Sequence, residues 1–291
     1  MSIAIQNTGT QFFDWVKRHQ TLVFVVLAYG LSWSIFIAHI ILQVDSPIIL
    51  LGVYGPSVAA IMLTGYLAGW QGVRKLLKRF AIWRVGLHWY VYLAVGFVLI
   101  ELAGYGLYRL LGGPALAIAV PTLTSILPVL FFQILIPGLG EEFGWRGFAL
   151  PRLQAQWNPL TASLILGLLH ISWHFPTYWL GNGTHNVPLV LVILWAIPWT
   201  ILYTWIFNNT RGSILIAVLY HALFGVTLSF MPFLPPESVV PITPALIRDF
   251  NFFDSVFGPY IATVAVFWVV AAIIVVATKG DLSYNATSDQ E

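Results

Sequence analysis

No cysteine occurs among the 291 residues, so disulfides, thiolate metal sites and a cysteine nucleophile are all excluded. Charge is nearly as scarce, because Asp, Glu, Lys and Arg make up 8% of the chain, against about a quarter of a typical soluble protein. The formal net charge of +2 is too small to argue for a nucleic-acid partner. Two hydrolytic signatures are also missing, the HExxH zinc helix and the GxSxG serine elbow. No internal repeat is visible, which leaves an inverted-repeat transporter unsupported.

What fills the chain instead is apolar sequence, 59% of all residues with a mean hydropathy of +0.85. The expected fold is an all-α, polytopic transmembrane helix bundle. Eight spans are readable, at about 21–44, 48–69, 89–111, 122–140, 159–180, 187–207, 212–232 and 257–278. The first run is too long for the core of a signal peptide. Residues 1–20 are expected to form a cytoplasmic N-terminal tail that rests on the membrane through Phe12, Phe13 and Trp15. Residues 21–278 form the membrane domain, and 279–291 a polar, mobile C-terminal tail.

Arg74, Lys75, Lys78, Arg79 and Arg84 crowd the loop after the second span. If that loop is cytoplasmic, only Arg109 and Arg248 among the thirteen basic residues break the positive-inside rule. Both termini are therefore expected in the cytoplasm and the protein in the plasma membrane, with the basic loop against anionic headgroups. Gly65 and Gly69 form a GxxxG that predicts close helix packing in the second span. The proline-rich loop at 233–256 carries no readable chemistry.

Against this background the stretch PGLGEEFGWRGF at 137–148 stands out. Ionisable groups at membrane depth are costly unless paired or facing a polar cavity, so Glu141, Glu142 and Arg146 are functional candidates. Glu142 and Arg146 lie four apart and can pair on one helix face. Glu141 lies about 100° round the helix and is left for another role. In LLHISWHFP, His170 and His174 are likewise four apart.

The Asn158-Pro159 step between the two motifs reads as a helix-hairpin turn. Counting at about 1.5 Å per residue puts Glu141 and His174 each roughly 25 Å from that turn, at one depth. His221 lies about 16 Å past the 208–212 turn on its own helix. It can reach the same site if the 141–174 hairpin projects further than its neighbour, or if Pro151 bends it.

A carboxylate, one or two imidazoles and a guanidinium in a partly dry cavity can activate water for amide hydrolysis. Glu141 would take the proton and later deliver it to the leaving amine, while His174 holds the water or shares the proton. His221 would stabilise an oxyanion. A divalent metal such as zinc, held by His170, His174, His221 and a glutamate, is the competing chemistry. The bland alternatives are a structural Glu142–Arg146 pair and a packing or supporting role for His170. Glu101 and His39 are further ionisable groups within spans, and Glu101 could pair with Arg109 or a histidine, or serve proton transport.

These motifs resemble those of the CPBP family of intramembrane proteases, also called Abi-type. That family includes type II CAAX prenyl endopeptidases and proteins of bacteriocin processing and self-immunity. GEEFGWRGFALPRLQ is similar to its EExxxR motif, LLHISWHFP to its second motif in the form ending WHxP, and LYHALFG to its third, HxxxN. The likeness extends over about 50–230, including the proline-containing second span and the basic helix after it, with a motif core at about 122–230.

The resemblance implies that Glu141 is the water-activating base, supported by Glu142 and Arg146. It implies that His174 positions the water and His221 contributes to the oxyanion site. If a metal is held, Glu141, His174 and His221 are the implied ligands. The implied substrate is a peptide or protein in the lipid bilayer. The other outcome is a non-catalytic protein of bacteriocin self-immunity or peptide binding. Two departures stand out: the third motif's Asn falls on Gly225, which removes a side-chain donor, and the aromatic opening the second motif falls on His170. Asn208 and Asn209 are the nearby asparagines that would have to compensate.

Overall fold

The computed structural model describes residues 2–43, 46–116, 121–178, 189–230 and 258–284. The 233–256 loop, and the ends of several expected spans, lie outside the described residues. All regular structure among the described residues is helical. The first helix, α1, runs Ser2–Arg18 and is followed by α2, Gln20–Leu42. A short α3, Ile49–Gly52, leads into α4, Gly55–Lys78, and α5 covers Leu87–Leu110.

A composite rod comes next. It contains α6 (Leu123–Gln133), a π-helical turn Ile134–Gly138, α7 (Leu139–Gly144), a second π-helical turn Trp145–Ala149 and α8 (Leu150–Gln154). Then follow α9, Pro159–Trp173; α10, Phe175–Tyr178; α11, Leu189–Asn209; α12, Ile214–Phe230; and α13, Gly258–Ala277.

Eight helical segments therefore stand where eight spans are expected. Five of them, at 20–42, 87–110, 123–154, 190–209 and 258–277, are long and apolar enough to cross a membrane. Pro159–Trp173 and Ile214–Phe230 are apolar but shorter. Large apolar side chains lie bare on the outside of the bundle, with Leu110 86% and Val276 77% exposed. Such a surface is stable against lipid tails and not against water. The chain is an integral membrane protein.

Helix α2 packs on α4, α5 on α13, α9 on α11, and α12 on α6. Local sequence explains the joints. Asn158 caps α9 by accepting from the Thr161 amide at 2.9 Å, and Pro159 occupies the first turn, where no amide donor is needed. This is the hairpin turn expected from the Asn-Pro step. Helix α4 is broken at Gly69, whose φ of +61° is open to glycine and costly for other residues.

The Gly65–Gly69 pair does not mark a tight helix crossing, for nothing lies within 4 Å of a Cβ built on Gly69. The close approach occurs at Gly140 and Gly144 instead. A Cβ on Gly144 would stand 2.5 Å from the Pro56 carbonyl carbon, and one on Gly140 would stand 2.9 Å from Val53 O. Those two glycines let α7 sit directly on the start of α4.

The basic segment divides its residues. Arg74, Lys75, Lys78 and Arg84 are exposed. Arg79 turns inward, donating through Nε to Gly212 O at 3.0 Å and through Nη1 to Gly147 O at 3.2 Å. The N-terminal tail is helical, with Trp15 exposed and Val16 buried. The start of the C-terminal tail is docked, because Leu282 is fully buried and its carbonyl accepts from Asn208 Nδ2 at 3.0 Å.

Candidate active site

The acidic motif sits on α7 between the two π-helical turns. A π turn takes in an extra residue, widening the helix and re-aiming its side chains, and such turns recur at functional sites. Glu141, Glu142 and Arg146 are all buried. Arg146 Nη1 donates to Glu142 Oε1 at 3.2 Å, the expected one-turn pair. The same oxygen lies 2.7 Å from His221 Nδ1 on α12.

The Arg146 guanidinium is also stacked over the Tyr203 ring at 3.6 Å and lies 5.1 Å from the Trp199 ring. A buried ion pair usually loses more in desolvation than it gains, so these ring faces and the imidazole are what make the burial tolerable.

Glu141 points the other way, to α9. Its Oε2 stands 2.7 Å from His170 Nε2. A carboxylate oxygen accepts and cannot donate, so an ionised Glu141 requires the proton on His170, and a protonated Glu141 donates to the bare nitrogen. The pair thus holds one proton between two atoms. The His174 ring stacks on that of His170 at 5.3 Å, one turn further from the Asn158 hairpin turn.

Depth counting sets Glu141 level with His174; in the structure Glu141 bonds His170, and a ligand atom of His174 lies within 4.8 Å of theirs. The π turn at 145–149, which lies between Glu141 and the hairpin turn, shortens that path slightly and shifts Glu141 toward the turn. His221 reaches the site by the first of its two expected routes. Ile214, at the start of α12, abuts Gly147, so the 141–174 hairpin extends beyond its neighbour, and Arg79 fixes that offset. Gly225 lies on α12 one turn past His221 and faces Gln133.

Three tryptophans wall the imidazoles. Trp145, Trp173 and Trp199 have ring centroids 5.2, 6.2 and 5.9 Å from His170. Helix α2 steadies this corner: Tyr29 donates to Leu169 O at 2.5 Å, and Trp33 Nε1 donates to Trp173 O at 2.8 Å. The Trp173 carbonyl lies at the end of α9, where a helix has no partners of its own, and Tyr29 adds a second anchor one turn earlier. Sequence reasoning missed Tyr29 and Trp33, as it missed Trp199 and Tyr203. In each case the available signal was two polar-tipped aromatics four apart within a span.

Among the described residues, two sets of donors could hold a metal, with the ligand atoms of each set within 4.8 Å of one another. They are Glu141, His170 and His174, and Glu141, Glu142 and His221. The first matches in chemistry the two-histidine, one-glutamate set of hydrolytic zinc centres. The expected trio of Glu141, His174 and His221 is instead divided between the two sets.

The other polar residues fall elsewhere. Glu101 is buried between α5 and α13, where Thr263 Oγ1 donates to it at 3.4 Å. It does not pair with Arg109, whose Nη1 donates to Gly113 O at 2.7 Å. His39 lies in the last turn of α2. Asn208 accepts from Gln154 at 3.1 Å and Asn209 donates to Trp205 O at 2.8 Å, so neither replaces the asparagine missing at Gly225.

Comparison with known proteins matches this region. The Rce1-like family, type II CAAX prenyl endopeptidases, matches residues 122–227. CAAX prenyl protease 2 of Methanococcus maripaludis is 31% identical over 110 residues, which cover 35% of this chain and 40% of that protein. The aligned part is therefore less than half of that relative. Over its motif region the chain is thus similar to type II CAAX prenyl endopeptidases.

Proposed function

We propose that the protein is an intramembrane endopeptidase that hydrolyses a peptide bond with water activated by Glu141. The observation that carries this reading is the buried Glu141–His170 contact at 2.7 Å, beside a separate Glu142–Arg146–His221 cluster. Two adjacent carboxylates have been given different partners, which suits one for proton transfer and the other for holding the site together.

In the reaction, water oxygen attacks the carbonyl carbon and its proton passes to Glu141. His174 orients the water, and His221, fixed through Nδ1 by Glu142, supports the oxyanion. The C–N bond then breaks, and Glu141 returns the proton to the leaving amine. His170 holds the position of Glu141 and shares its proton. A metal, if bound, would be held by Glu141, His170 and His174 and would supply polarisation of water.

The substrate class suggested by the matched family is a membrane-borne peptide with a CAAX-type end, and bacteriocin-related peptides are the second candidate. Basic-residue placement favours a site opening in the cytoplasmic half of the plasma membrane, with both termini cytoplasmic.

The test is incubation of detergent-purified protein with a farnesylated peptide ending in a CAAX sequence and with a library of unmodified peptides, read by mass spectrometry. Defined internal cuts are expected. Gly225, in place of a motif asparagine, favours a second reading, a non-catalytic peptide-binding or bacteriocin-immunity protein. That reading predicts binding or protection without products, surviving Glu141→Gln and His174→Ala.

A further inference from the structure

The rod containing α6 and α7 runs antiparallel to α12, and three close approaches fix its register: Gly147 against Ile214, Gly138 against Val218, and Gly225 against Gln133. The last of these is unlike the others. A Cβ built on Gly225 would fall 2.4 Å from Cδ, 2.6 Å from Oε1 and 2.7 Å from Nε2 of Gln133. The Gln133 carboxamide therefore occupies the space into which any side chain at 225 would begin to grow.

The amide it places there has no partner among the described residues. Gln133 is half-buried and follows the exposed Phe131 and Phe132, and its side chain forms no hydrogen bond with any described residue. Its amide N–H groups are therefore not committed to any described partner, and they are not fully buried. Such a group has donors free for a ligand.

Its level indicates what arrives. Gly225 lies one turn past His221 on α12, and His174 lies one turn past His170 on α9, both away from the Asn158 hairpin turn. Gln133 and His174 thus stand about one turn beyond the two carboxylates, on the walls formed by α6 and α9. A peptide laid between these walls would present its carbonyl to Gln133 and its other face to water near Glu141.

We infer that Gln133 is a further catalytic residue, donating a carboxamide N–H to the carbonyl oxygen of the scissile peptide, and that glycine at 225 leaves room for it. This rests on the protease reading above. As negative charge gathers on that oxygen in the transition state, the N–H bond strengthens, while the water proton goes to Glu141 as before.

The experiment measures kcat and KM of full-length protein on a peptide that wild type cuts, for Gln133→Leu, Gln133→Glu and Gly225→Asn, with thermal unfolding of each. Gln133→Leu and Gln133→Glu are both expected to lower kcat by about 10²-fold with KM nearly unchanged, since neither side chain offers the donor. Gly225→Asn should lower activity by colliding with Gln133, and Gln133→Ala placed beside it should restore at least part of that loss. A Gln133→Leu variant with kcat within twofold of wild type overturns this inference alone. So does full activity in Gln133→Glu, which would reduce the residue to packing. Wild type that cuts no peptide overturns the protease reading and this inference together.

Discussion

Glu141 Oε2 and His170 Nε2, on two antiparallel helices of one hairpin, lie 2.7 Å apart in a buried site. At that distance one proton serves both atoms, and the imidazole fixes the carboxylate in one rotamer. Losing His170 should therefore damage the chemistry without moving the substrate. His170→Ala is expected to lower kcat about 10²-fold or more with little change in KM. His170→Gln, which keeps a donor, should recover part of the loss. Steady-state kinetics on a single cleaved peptide check both.

Arg146 is expected to matter for stability before catalysis. It is fully buried, bonded to Glu142 and stacked over Tyr203. Arg146→Ala leaves a buried carboxylate without its guanidinium and should cost about 3–5 kcal/mol. Arg146→Lys should recover little of this, because an ammonium cannot stack as a plane. Denaturant unfolding in detergent reads the difference, and a loss below about 1 kcal/mol would contradict the assignment.

Gly144 and Gly30 make a paired test of the packing. A Cβ on Gly144 meets Pro56 at 2.5 Å, while nothing lies within 4 Å of one on Gly30. Gly144→Ala should push α7 off α4 and lower the melting temperature by several degrees, a cost of about 1–3 kcal/mol. Gly30→Ala in the middle of α2 should be neutral or slightly stabilising. Equal melting temperatures for the two would show that α4 does not seat the acidic helix.

A strong chelator is expected to leave cleavage unchanged. Glu141 cannot be both the free base and a tightly held metal ligand, and the proposed reaction uses it as the base. Loss of activity on chelation, restored by zinc, would move Glu141, His170 and His174 from base and helpers to ligands.

Much of this architecture is visible in the residues themselves. Apolar runs separated by turn signals mark eight helical segments, and the one-turn spacing of Glu142 and Arg146 predicts their pairing. The partner of Glu141 was harder to read. Counting residues assumes a uniform rise and an ideal helix, and the π turn at 145–149 departs from both, so the count brings Glu141 to the His170–His174 pair without saying which imidazole it bonds. His221 depends on how far one hairpin projects past another. Arg79 sets that offset through two backbone carbonyls, so no local pattern records it. The glycine pair at 65 and 69 looked like a packing motif because spacing cannot tell a crossing from a break. Only the backbone angle at Gly69 does.

The central claim is tested most directly by Glu141→Gln, which keeps the size of the side chain and removes its capacity to take a proton from water. The rate of a peptide cut by wild type should fall at least about 10³-fold, with the melting temperature held within a few degrees. A folded Glu141→Gln protein that still cuts the peptide at a rate near wild type would contradict the account.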